Sequence, residues 1–185
     1  MSRRKTKRKH SVVEVVGFLA MGIVVLGIIW LVVTQPQNPP NSNQTTATLA
    51  LAPDFALTDV DGSTFRLSDQ QGKVVVLEFM RTTCSACVSE APTLADLRTK
   101  FLLDNVVMVT VTVDPAGDTD VVFRNFRNQN MMGWIAARDT ARVYQKYSVQ
   151  ATPTIFIIDK DGHIRYQHVG VTESSVLISE IGSLA

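Results

Sequence analysis

Apolar positions divide this chain into three stretches. From Val12 to Val33 every residue is apolar or small except Glu14, and Val15 to Val33 is a 19-residue run without charge. Residues 35–50 are polar and rich in proline, asparagine and threonine. From Leu51 onward, short apolar runs alternate with polar turns to the end of the chain. The first stretch matches the roughly 20 apolar residues that a helix needs to cross a bilayer. The second cannot bury a core and predicts a linker. The third predicts one folded domain over residues 51–185.

Within that domain the periodicity sets an order of elements. Phe55-Ala-Leu57 and Thr64-Phe-Arg-Leu67 flank Asp61-Gly62, which predicts a hairpin. Val74-Val-Val-Leu77, inside Lys73 to Phe79, has the pattern of a buried strand, and so does Val106 to Val113. A helix is expected from about Cys84 to Lys100, with Leu94, Leu97 and Phe101 on one face. A second should open at Asp118 or Thr119 and run to Asn128. Trp134 to Ala137 reads as a short strand, Arg138 to Tyr147 as a short helix and Thr154 to Ile158 as a strand. Asp161-Gly162 turns into a strand over His163 to Val169, and Thr172 or Ser174 should cap a last helix to about Leu184. This order mixes crossover helices with hairpins. It implies an α/β sandwich with a mixed sheet and helices on both faces. Met131, Met132 and Trp134 read as core or groove wall, and His168 as a surface strand residue.

Charge sharpens the first stretch. The chain carries a formal net charge of +1, but unevenly. Arg3, Arg4, Lys5, Lys7, Arg8 and Lys9 crowd residues 1–10, with no acid among them. Residues 51–185 hold 12 Lys+Arg against 16 Asp+Glu, a difference of −4. A mildly acidic domain gives no support for nucleic-acid binding. The basic cluster before an apolar run predicts residues 1–11 in the cytoplasm, a single membrane span over 12–34 and the domain on the other side. Trp30 suits the far interface. A cleaved signal peptide is the rival reading, but its apolar region is usually about 7–15 residues and ends at a small-residue site. Here the run is longer and Thr34, Gln35 and Pro36 follow it.

The chain has two cysteines, three positions apart, as Cys84-Ser-Ala-Cys87. A bridge that short closes almost no loop and stabilises little by chain entropy. A structural zinc site would need two further ligands, and His163 and His168 lie in a distant strand. Redox chemistry fits the pair better. Cys84 should open a helix, where free N–H groups and the helix dipole favour a thiolate. Cys87, nearly one turn further on, is placed to attack a mixed disulfide and release the substrate.

Three separated segments carry a family resemblance. Glu78-Phe-Met-Arg-Thr-Thr-Cys84-Ser-Ala-Cys87-Val-Ser-Glu-Ala-Pro92 resembles the thioredoxin active-site segment. Tyr147-Ser-Val-Gln-Ala-Thr152-Pro153-Thr154 resembles its cis-proline loop. Ala52-Pro53-Asp54-Phe55, followed by Asp61-Gly62 and Leu67-Ser68, is similar to the start of the TlpA/ResA branch and of peroxiredoxins. The resemblance implies a thioredoxin-like three-layer sandwich behind one transmembrane helix. It implies that Pro153 is a cis-proline facing the dithiol, and that the backbone of Thr152 pairs with an incoming peptide. Glu78 stands where thioredoxins keep a buried acid. There its raised pKa would let it take the proton from Cys87; the alternative is a strand-end residue in solvent. Glu90 stands where the TlpA/ResA branch often has an acid, with a solvated helix residue as the alternative. Pro92 matches the proline within the active-site helix. Thr83 and Ser85-Ala86 depart from the family's usual Trp and proline-containing dipeptide. That leaves the direction of electron flow open. Arg81 would favour a thiolate if it faced Cys84, and otherwise reads as a solvated loop residue.

The implied activity is thiol–disulfide exchange on exported proteins, such as apocytochrome c or copper-site proteins. A membrane thiol carrier would supply the electrons, and no cofactor or metal is implied. Two other classes use related sequences. Peroxiredoxins place P-x-x-x-T-x-x-C around their cysteine, whereas Arg81 stands three before Cys84 here. Copper chaperones of the Sco type use C-x-x-x-C and a distal histidine; this spacing is one residue shorter, although two thiolates can still bind Cu(I).

Overall fold

In the computed structural model, residues 50–101 and 105–185 are described. The predicted cytoplasmic segment, membrane span and all but the last linker residue lie outside them. Among the described residues no helix is long and apolar enough to cross a membrane.

A five-stranded mixed sheet forms the middle layer. β3 (Val74–Met80) lies at its centre, every residue buried. β4 (Val106–Thr112) runs parallel to it, with Glu78 opposite Thr110. β5 (Ile135–Arg138) runs parallel to β4 at one edge. On the other side β6 (Thr154–Ile158) is antiparallel to β3, and β7 (Ile164–Val169) is antiparallel to β6. The order is β5-β4-β3-β6-β7. The separate hairpin of β1 (Ala56–Thr58) and β2 (Thr64–Arg66) meets the β5 edge, where Val60 N–H donates to Ala136 O at 2.9 Å.

Two D-x-D-G turns close the hairpins by the same local chemistry. Asp59 Oδ1 accepts from the N–H groups of Asp61 and Ser63, and Asp159 Oδ1 from those of Asp161 and His163. Gly62 and Gly162 follow at φ of 91° and 84°, which an L side chain rarely adopts.

Strand alternation sends each strand's side chains to two cores. On one face Val74, Val76 and Met80 pack with Ile155 and Ile157 under α1 (Ser85–Lys100), α2 (Asp120–Gln129) and α4 (Ser174–Gly182). Leu94 and Leu97 of α1, Phe123 of α2 and Ile181 of α4 fill this layer. On the other face Val75, Leu77 and Phe79 meet Phe55 and Phe65 of the hairpin and Val143 of α3 (Val143–Lys146). The expected sandwich with a mixed sheet and helices on both faces is therefore formed.

Four local expectations are corrected. The helix expected over 138–147 shrinks to α3, because Asp139 takes the N–H groups of Ala141, Val143 and Tyr144, and Arg142 sits at φ 54°. The acid thus competes with the helical backbone. No side chain caps α4 at Thr172 or Ser174; Glu173 holds the cap position without a side-chain bond. His168 is buried, with Nε2 2.7 Å from Glu180 Oε2 of α4. Met131 is 78% exposed, while Met132 and Trp134 are buried as expected.

Candidate active site

Cys84 is the N-cap of α1, with extended backbone at φ −87° and ψ 112°. The helix thus begins one residue later than its expected start. Cys84 accepts the N–H of Cys87 at its sulfur, 3.1 Å away. The first-turn N–H groups of a helix have no partner inside it, so this sulfur takes one of them. A thiolate at the same point gains more, from that N–H and from the positive end of the helix. The structure holds a Cys84–Cys87 disulfide with a Cα–Cα separation of 5.2 Å. Cys84 is part-exposed, while Cys87 is 1% exposed and belongs to the core under α1. The pair therefore has one sulfur open to a partner and one shielded from it.

The loop before β6 closes over the pair. Thr152 and Pro153 are joined by a cis peptide bond. Thr152 carbonyl oxygen is 3.4 Å from Cys84 Sγ. Pro153 is buried, and its carbonyl accepts from Gly170 N–H at 2.8 Å.

Glu78 and Glu90 are both buried, Glu90 completely so. Neither is the solvated residue of the alternative reading. Glu78 lies on β3 in the same alternation as Val76 and Met80, on the sheet face that α1 covers. Thr110 hydroxyl donates to Glu78 Oε2 at 2.7 Å, and Trp134 Nε1–H donates to Thr110 Oγ1 at 2.9 Å. Burial pushes the Glu78 carboxyl up to about 7; the Thr110 bond opposes this, and the nearby Glu90 charge adds to it. Glu90 accepts Thr172 N–H at Oε2, 2.9 Å away, while its Oε1 is buried with no hydrogen-bond partner. Burial raises this carboxyl as well, against the pull of the Thr172 bond. Thr172, one of the two expected caps of α4, thus donates its N–H to Glu90 of α1.

One buried acid was not singled out from the sequence as part of this site. Asp118 is 3% exposed. Its Oδ2 accepts the N–H of Thr82 at 3.1 Å, and its carboxylate also accepts the hydroxyls of Thr82 and Thr112. These bonds tie the loop two residues before Cys84 to the end of β4. Thr119, beside it, is the N-cap of α2 and accepts Val122 N–H, as its position predicts. The sequence hint was a hydroxyl at Thr112 and an acid six residues on, a spacing that means nothing until the strand end and the loop are adjacent.

Arg81 is exposed and has no side-chain partner among the described residues. Its backbone serves the site, through Cys84 N–H donating to Arg81 O at 3.2 Å. Among the described residues no three His, Cys, Asp or Glu side chains gather to hold a metal ion.

A profile of the AhpC/TSA family matches residues 49–167. The chain belongs to the AhpC/TSA family. Within it, the protein is 35% identical over 120 residues to the thiol-disulfide oxidoreductase ResA of Bacillus thuringiensis (strain Al Hakam), covering 64% of this chain and 68% of that one. It is 32% identical over 127 residues to ResA of Bacillus subtilis (strain 168), covering 68% and 69%. A Chlorobium tepidum crystal structure, provisionally assigned as the thiol:disulfide interchange protein DsbE, superposes with a TM-score of 0.65 at 29% identity. That match covers 77% of this chain and 99% of the other. Joined to the Cys84–Cys87 disulfide, these likenesses make this AhpC/TSA-family protein a thiol–disulfide oxidoreductase with a thioredoxin-like fold.

Proposed function

We propose that this enzyme reduces disulfides in exported proteins, held at the outer face of a cell membrane by one helix over residues 12–34. The observation that carries the reaction is the asymmetry of the cysteines: Cys84 part-exposed at a helix N-cap, Cys87 at 1% exposure behind it. In the reduced enzyme the Cys84 thiolate attacks a substrate disulfide. A bond forms between Cys84 Sγ and one substrate sulfur, and the other leaves as a thiolate. Cys87 then gives up its proton and attacks Cys84 Sγ, releasing the second substrate thiolate and leaving the Cys84–Cys87 bridge. Glu78 is the proton acceptor for Cys87, since its carboxyl titrates near neutrality. Thr152 offers backbone hydrogen bonds to the substrate strand beside the reacting sulfur. A membrane thiol carrier returns two electrons to the bridge. Support for the location comes from the basic segment and the uncharged run at the N-terminus.

The test uses the full-length chain in detergent micelles with a thiol donor and insulin. Reduction is expected, with loss in Cys84→Ser and a trapped mixed disulfide in Cys87→Ser. Peroxide consumption without insulin reduction overturns the reaction. In intact cells a membrane-impermeant maleimide should label the reduced cysteines; labelling only after lysis overturns the location.

A further inference from the structure

A groove of about 320 Å³ lies beside the loop that ends at the cis-proline, lined by Arg81, Val113, Tyr144, Val149, Gln150 and Thr152 among others. Thr152 links this groove to the reactive sulfur, since its carbonyl oxygen is 3.4 Å from Cys84 Sγ. A substrate cysteine bonded to Cys84 would therefore deliver its flanking residues into this groove. Arg81 is the one charged residue of the lining. The domain around it carries 12 Lys+Arg against 16 Asp+Glu. Five other arginines of the domain are held by acids: Arg66 by Asp54, Arg124 and Arg127 by Asp61, Arg138 by Asp120 and Arg165 by Asp159. Arg81, like Arg98 and Arg142, has no such partner among the described residues, and of these three it alone lines the groove. Asp118, the acid bonded to the neighbouring Thr82, is turned to Thr82 and Thr112 and forms no ion pair with Arg81. An unpaired guanidinium has a planar fork of donors that fits a carboxylate.

We infer that Arg81 is a specificity residue, selecting substrates with an Asp or Glu side chain within a few residues of the cysteine that Cys84 attacks. This rests on the protein-disulfide reading above. Charge complementarity at a part-exposed site sets preference and encounter rate more than total affinity, and salt weakens it.

The experiment uses the full-length chain in micelles and three disulfide peptides. They are identical except for Glu, Gln or Lys at the positions flanking the cysteine. Wild type should show a Glu-to-Lys ratio in kcat/KM of about 10 at low salt, shrinking toward 1 at high salt. Arg81→Gln should bring the ratio near 1, and Arg81→Glu should invert it. A wild-type ratio near 1, or one that Arg81→Glu retains, overturns the inference. An equal fall for all three peptides in Arg81→Gln also overturns it, since that marks an effect on the Cys84 thiolate alone. Failure of wild type to reduce even the Gln peptide would instead strike the protein-disulfide reading, and the selectivity with it.

Discussion

Thr110 donates its hydroxyl to Glu78 across 2.7 Å, from the residue directly opposite on the parallel neighbour strand. Trp134 in turn donates its indole N–H to the same hydroxyl oxygen. The indole uses a lone pair of the hydroxyl, so the hydroxyl hydrogen is free to face the carboxyl. Glu78 is thereby held in a buried site by a single neutral donor, which does not offset its desolvation.

That arrangement predicts a pH-dependent cost. The Glu78 carboxyl rises from 4.5 in the unfolded chain to about 7 in the native state. Between those values the native state keeps a proton that the unfolded state has lost. Stability therefore falls as pH rises through this window, by roughly 3 kcal/mol once the Glu78 carboxyl is ionised in both the native and the unfolded state. Glu78→Gln keeps the acceptor for Thr110 and removes the titration. Thermal unfolding of the oxidised protein should find the variant more stable than wild type at pH 8 and nearly equal at pH 4. A gap that does not change with pH would falsify the assignment. In steady-state assays the same variant should lose about 10²-fold in turnover if Glu78 takes the Cys87 proton.

Glu90 contributes to the Glu78 shift through its charge. Removing that charge in Glu90→Gln should move the pH–rate profile governed by Glu78 to lower pH. The variant still offers an acceptor to Thr172 N–H. Rate profiles recorded between pH 5 and 9 check this; a profile moved upward, or not at all, excludes the coupling.

Asp118 should matter as a positioning residue. Asp118→Ala leaves buried donors of Thr82 and Thr112 without an acceptor, at a cost of about 3 kcal/mol in stability. It should also alter the pH dependence of Cys84 alkylation, because the loop that presents the thiol loosens and a buried acid is lost. Asp118→Asn keeps an acceptor oxygen and should recover part of both. Thiol alkylation rates against pH separate the effect on the loop from a general loss of fold: unaltered Cys84 titration in a folded Asp118→Ala would refute the positioning role.

The His168–Glu180 pair joins β7 to α4 within the core. His168→Leu strands a buried carboxylate and should cost about 3 kcal/mol, whereas His168→Leu with Glu180→Leu should cost much less. A double-mutant cycle by thermal unfolding measures the difference. Purely additive effects would mean that the two side chains do not interact.

Much of this protein is decided by local rules legible along the chain. The β3 and β4 apolar runs and the two Asp-Gly turns each follow from hydropathy or turn chemistry over a few residues. The same holds for Cys84 at a helix start, because strand, loop and helix follow one another in sequence. Only the tertiary structure decides what lies across the sheet or between elements. Thr152 is 68 residues from Cys84, yet its carbonyl oxygen lies 3.4 Å from the sulfur. Glu90 becomes a buried acid because Thr172, 82 residues away, turns its N–H toward it. Asp118 becomes a clamp because β4 ends beside the active-site loop. His168 reads as a surface strand residue until α4 brings Glu180 over it. In each case the polar group's partner is supplied by packing, and a buried polar group keeps its place only where such a partner exists.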